Sequence, residues 1–172
     1  MNKTKKITFC AIMAALAAAI MMASYFPYLT YAIPALAGLF IMIAVIEIDL
    51  KWALASYIAS AVPVFFMAET ECKMLYILFF GYYPVLKAWT EKFRKPILEW
   101  IVKIGVFNIA VVTAYFIFSK LFGFSLEDFE ILGKYGALIF LDVGNIVFVL
   151  YDIAISRMAM FYMVIIKPKL KF

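Results

Sequence analysis

The chain has no histidine and only two cysteines among its 172 residues. Without histidine it loses the commonest metal ligand and proton shuttle, and two cysteines alone cannot furnish a zinc site. Charged residues are scarce at 16%. The 7 glycines form no phosphate-cradling loop, and Gly81 in FFGYYP and Gly144 in DVGN stand alone. Isolated glycines in apolar helices mark close packing or kinks. No nucleophile stands beside a base, and no two carboxylates are spaced for acid–base work. These absences exclude an ATP site and predict no enzymatic activity, no metal and no cofactor.

Apolar residues fill that space. They make up 68% of the chain, and the mean hydropathy is +1.03, where a soluble domain is about half apolar. A helix needs about 20 residues to cross the bilayer core. Six spans are predicted, at about 7–26, 31–48, 52–68, 74–90, 101–122 and 136–164. They make an all-α bundle in a single domain, residues 1–172, with no room for a soluble module. Placing both termini in the cytoplasm puts Lys3, Lys5, Lys6, Lys51, Lys92, Arg94, Lys95, Lys103, Arg157, Lys167, Lys169 and Lys171 inside. Outside lie only Lys73, Lys120 and Lys134, while Lys87 falls within a span. Cationic loops resist translocation, so this asymmetry sets the orientation in a cytoplasmic membrane. The net charge of +5 is then explained by anionic headgroups rather than nucleic acid. Cys10 and Cys72 fall on opposite sides of the bilayer, too far apart to bridge. The first apolar run exceeds the 7–15 residues of a signal-peptide core and reads as a retained helix.

The connections carry their own signals. Tyr25, Tyr28 and Tyr31, bracketed by Pro27 and Pro34, suit an outer interfacial loop. EKFRKPILEWIVK, residues 91–103, is predicted to include an amphipathic stretch on the inner surface. A second outer loop carries Glu127, Asp128 and Glu130.

Polar residues inside spans mark function or structural pairing. At about 100° per residue, Asp142, Asn145, Asp152 and Ser156 share one face of the last span. Tyr76, Phe80, Tyr83 and Lys87 share a stripe on the fourth, and Asn108, Tyr115 and Ser119 on the fifth. At about 1.5 Å per residue, Lys87 and Asp152 reach similar depths. A buried Lys87–Asp152 pair braced by Asn108 is therefore expected, either orienting the helices or coupling their movements. Nearer the outside, Tyr76, Tyr83, Asp142 and Asn145, rimmed by Glu69, Glu71 and Lys73, have the make-up of a small-molecule pocket. The plainer reading makes Asp142 a solvated carboxylate. Ala11, Ala15 and Ala19 recur every four residues on the first span, which lets another backbone approach closely, within the bundle or from a second subunit. Ala55, Ala59, Ser56 and Ser60 repeat the device on the third span.

Six spans in under 200 residues, a basic N-terminus, the Ala11-xxx-Ala15-xxx-Ala19 face and the GNIVFVLYDIA stretch (144–154) together resemble the substrate-binding S components of energy-coupling factor transporters. FFGYYPVLK, residues 79–87, is similar to small bacterial membrane proteins classed near them. The resemblance implies that Ala11, Ala15 and Ala19 dock on a transmembrane coupling subunit driven by two ATPases. It also implies that a vitamin-like micronutrient binds near Tyr76, Tyr83, Asp142 and Asn145. The histidine clusters of the nickel and cobalt members are absent. A second reading is a non-catalytic structural protein of the cell-shape machinery, of the rod-shape-determining D-subunit type. A small autonomous transporter ranks lower, because no inverted repeat is evident.

Overall fold

The computed structural model describes residues 2–26, 29–93, 95–122 and 136–169, and all regular structure among them is helical. Pro27, Tyr28, Arg94, Glu127, Asp128, Glu130, Lys134 and Lys171 lie outside the described residues, as does the side chain of Ser119. Among the described residues seven α-helices follow in order: α1 (Lys3–Met21), α2 (Ala32–Glu47), α3 (Leu50–Met67), α4 (Thr70–Leu75), α5 (Tyr83–Thr90), α6 (Pro96–Phe122) and α7 (Gly136–Phe161). Of the described residues, four stretches are long and apolar enough to cross a membrane: Lys3–Tyr25, Leu50–Met67, Pro96–Ile117 and Leu141–Lys169. The helix Ala32–Glu47 is apolar but shorter.

Local chemistry explains the boundaries. α1 runs through alanine and methionine, good helix formers, and tightens into a 3₁₀ turn at Met22–Tyr25. α2 carries Pro34 in its first turn, where no intrahelical N–H is required. Asp49 caps α3 by accepting the Trp52 N–H at 3.0 Å and also meets Lys6 at 3.4 Å. The Trp52 N–H holds the Asp49 carboxyl below the usual carboxylate range. Glu69 caps α4 in the same way through the Cys72 N–H. Met67–Cys72 is tied to the end of α1 by Tyr25 Oη donating to the Met67 carbonyl and the Glu69 N–H donating to Ser24 Oγ.

The expected continuous span at 74–90 is broken. α4 passes into a π-helical turn at Tyr76–Phe80, closed by the Gly81 N–H on the Tyr76 carbonyl at 2.8 Å. α5 then restarts with Pro84 in its first turn, a position proline favours. Proline here starts a new helix instead of kinking an old one. The wide turn leaves carbonyls free, and Tyr57 Oη donates to that of Ile77 at 2.7 Å. Its ring lies where a Cβ on Gly81 would stand, within 2.6 Å, so this position needs glycine. The amphipathic stretch expected at 91–103 is also different. Only Glu91–Phe93 forms a short 3₁₀ turn, and from Pro96 the chain is already in α6.

α2 is the central helix, packing against α1, α3, α5, the π-turn and α7. One core joins Ala17, Met21, Ile41, Ala53, Val64 and Tyr76; a second joins Met42, Phe79, Tyr83, Phe148 and Ile155. Aromatic rings dominate the second, with Phe107 and Phe148 stacked 4.7 Å apart. Gly38 of α2 lies against Phe80 and Tyr151, which pack on the second core. A Cβ there would fall 2.6 Å from the Phe80 carbonyl oxygen and 3.2 Å from Tyr151 Oη. Gly38→Ala should therefore destabilise the protein by about 1–3 kcal/mol through overpacking. Gly105→Ala, whose Cβ meets nothing within 4 Å, should be neutral or slightly stabilising. Thermal unfolding in detergent compares them, and equal shifts would show that the Gly38 contact yields without cost.

Candidate functional site

The deepest polar group is built on one atom. Asp152 Oδ1 accepts from Tyr83 Oη at 2.5 Å, Lys87 Nζ at 2.6 Å and Lys103 Nζ at 3.1 Å. Tyr83 and Lys87 are one helical turn apart on α5, so both face α7. Lys103 reaches in from α6. All three charged residues are buried, with Lys87 at 6%, Lys103 at 1% and Asp152 at 5% exposure. Each lysine also engages a shallower carboxylate one turn away: Lys87 with Glu91 at 3.3 Å and Lys103 with Glu99 at 2.5 Å. Thr90 Oγ1 donates to the Lys87 carbonyl, and Lys103 lies 5.4 Å from the Trp100 ring centroid. This cluster clamps α5, α6 and α7 together electrostatically. A buried charge so placed is costly to unpair.

Asn108 takes no part in it. Its amide and that of Asn145 bond reciprocally at 3.0 and 3.2 Å, and each also donates to the carbonyl four residues back, Ile104 and Leu141. The expected brace is corrected for a reason of register. Lys103, not Asn108, comes level with Asp152. Five residues on along α6, and seven back along the antiparallel α7, the next facing polar residues are Asn108 and Asn145. These offsets are about 7.5 and 10.5 Å.

The residues expected to form an outer pocket are dispersed. Tyr76 is fully buried, its hydroxyl 2.6 Å from Ser60 Oγ. Tyr83 serves Asp152 and Asn145 serves Asn108, while Asp142 is exposed. The single face drawn for the last span also splits, with Ser156 exposed and its hydroxyl on the Asp152 carbonyl. Two of the surface grooves among the described residues are open and apolar. One of about 600 Å³ is lined by Pro96, Ile97, Trp100, Ile101, Ile104 and Gly105; another of about 330 Å³ lies between Tyr57, Phe65 and Ile77. None of Tyr76, Tyr83, Asp142 and Asn145 lines either. The described residues hold no cluster of three metal-ligating side chains.

Ala11, Ala15 and Ala19 are exposed along α1, whereas Ala14 and Ala17 on its other side are buried against the bundle. On α3, Ser56 and Ser60 turn inward and Ala55 and Ala59 outward. Sequence reasoning missed Lys103, Glu91 and Glu99. Their signal was present as opposite charges four residues apart, Lys87 with Glu91 and Glu99 with Lys103, each a helical pair. Lys103 had been assigned to a loop.

No family model, curated protein or solved structure matches the chain.

The charge cluster makes a coupled system. Asp152→Asn keeps the side-chain shape but strips the charge facing two buried ammonium groups, and should destabilise by roughly 3–5 kcal/mol. Lys87→Met should cost less, because Lys103 still holds Asp152. The double variant should lose less than the sum of the two, as expected for groups in contact. Detergent unfolding of the three variants gives the coupling; strictly additive losses would dismiss it.

Proposed function

We propose that this chain is a non-catalytic membrane subunit crossing the cytoplasmic membrane six times, with both termini inside. It captures a small, vitamin-like molecule from outside and hands it to an ATP-driven partner, in the manner of an S component. The observation that carries this reading is the exposure of Ala11, Ala15 and Ala19 on α1, whose opposite face is fully engaged. Small residues at this spacing let a partner helix approach to backbone contact, and in this reading the partner is a transmembrane coupling subunit with its ATPases. The six crossings draw on the charge asymmetry of the connections together with the four helices of spanning length. α2 and the broken α4–α5 stretch supply the other two, the break lying where protein surrounds it, as non-helical backbone in a membrane requires.

A second reading, a structural protein of the cell-shape or envelope machinery, is favoured by one specific observation. The interior charged and amide groups pair with one another, from Asp152 with its three donors to the Asn108–Asn145 pair, and among the described residues only the buried Tyr151 hydroxyl is left without a hydrogen-bond partner. Such a protein needs partner surfaces and no ligand cavity.

Ala15→Phe separates the protein's own folding from its assembly. The variant should unfold at the wild-type temperature yet no longer co-purify with coupling and ATPase subunits from cells that express the native partners. Retained co-purification would remove the docking face. Wild-type protein that brings down only envelope-building partners would transfer the assignment to the structural reading.

A further inference from the structure

We propose that the groove along the first turns of α6 is a binding site for an anionic phospholipid, its acyl chain on the apolar wall and its phosphate at Lys92 and Lys95. The groove, about 600 Å³, is lined by Pro96, Ile97, Trp100, Ile101, Ile104 and Gly105. Ile97 and Ile101 are 77% and 62% exposed. The absent side chain at Gly105 leaves its inner end open, since a Cβ there meets no atom within 4 Å.

Charge complementarity selects the occupant. Among the described residues, the chain next to the groove's first lining residue, Pro96, carries the ionisable residues Glu91, Lys92, Lys95 and Glu99. The two acids are spent inward, Glu91 on Lys87 and Glu99 on Lys103. Lys92 and Lys95 are exposed, and among the described residues neither joins an ion pair. The buried cluster thus occupies both acids of a stretch that is already net basic, 91–99 holding Lys92, Arg94 and Lys95 against Glu91 and Glu99, and leaves Lys92 and Lys95 as exposed cations. These cations stand where the polar turn gives way to an apolar wall, and Trp100 lies at that boundary, where tryptophan is favoured. A phosphate joined to a hydrocarbon chain matches both halves, and basic residues beside transmembrane helices bind anionic headgroups. A partner helix would satisfy the wall but leave both ammonium groups unanswered. The inference requires only that the protein lie in a bilayer and does not depend on ligand capture.

The test is native mass spectrometry of the delipidated full-length protein, titrated with phosphatidylglycerol or with phosphatidylcholine of the same acyl chains. Wild type should retain phosphatidylglycerol preferentially. Lys92→Gln/Lys95→Gln should reduce that preference by about five-fold for each lysine removed. Gly105→Leu fills the groove and should weaken both lipids while keeping their ratio. Equal binding of the two lipids by wild type, or a ratio untouched by the lysine changes, would overturn the site. A dimer mass that Gly105→Leu abolishes would assign the groove to a second copy instead. Should Gly105→Leu fail to fold, the lysine variant alone decides.

Discussion

Asp152 Oδ1 receives a phenol and two ammonium groups, each from a different turn of the chain, and the placement of α5, α6 and α7 depends on it. Apolar packing alone would leave these helices free to rotate or slide, since one isoleucine or phenylalanine face resembles another, and in lipid there is little hydrophobic penalty for the exchange. A buried carboxylate removes that freedom. Any rotation of α5 withdraws Tyr83 and Lys87 together, and any slide of α6 strips Lys103 from both Asp152 and Glu99. The penalty for a wrong register is an unpaired charge in a low-dielectric interior, far larger than a lost methyl contact. Seven residues back along α7 the Asn108–Asn145 pair repeats the constraint, so α6 and α7 are pinned at two heights.

The other half of the molecule is ordered differently. α1, α2 and α3 associate through small residues, with Ala17, Ala37, Ala44 and Ala53 fully buried, and α2 meets the π-turn through Gly38 at backbone distance. The hinge between the halves is the interrupted stretch of α4 and α5. Its surplus carbonyl is taken by Tyr57, whose approach is possible only over Gly81. The break is thus a satisfied structure in its own right and holds Tyr76 toward α3 and Tyr83 toward α7.

The helical class and the depth match of Lys87 with Asp152 were legible because hydropathy and a 1.5 Å rise are properties of single helices. The alanine periodicity of α1 was legible for the same reason, though not whether that face turns into the bundle or away from it. What could not be read required knowing how helices pair. Lys103 was counted with the loop cations because hydropathy marks where a span becomes apolar, not where the helix starts, and α6 starts at Pro96. Once it is placed in the helix, its spacing from Glu99 declares a partner. Tyr83 and Asn145 were assigned to an outer pocket by facing direction alone. Direction does not reveal which residue of a neighbouring helix stands opposite, and an interhelical register decided both. The π-turn left only an ambiguous mark, Gly81 and Pro84 within four residues, compatible with a kink as readily as with a restart.

An interior whose charged and amide groups are matched among themselves, with only the Tyr151 hydroxyl unpartnered among the described residues, has a consequence for where function can lie. Asp152, Asn108 and Tyr76 would have to surrender good partners to bind a solute, and each such exchange costs a buried hydrogen bond or charge pair. Recognition is cheaper at surfaces that are complete in shape but unanswered in chemistry. Two of these are the alanine face of α1 and the cation-edged groove of α6. They belong to helices with different neighbours, α1 packing on α2 and α3 and α6 on α5 and α7, so an occupant of one need not displace an occupant of the other. The pairing of Glu91 and Glu99 with buried lysines serves both ends of this arrangement, since the same bonds that lock the interior leave Lys92 and Lys95 without a carboxylate partner among the described residues. The charge state of the surface is in this way set by the register of the core, and a change in the packing of α5 against α7 would be read outside as a change in the field at the start of α6.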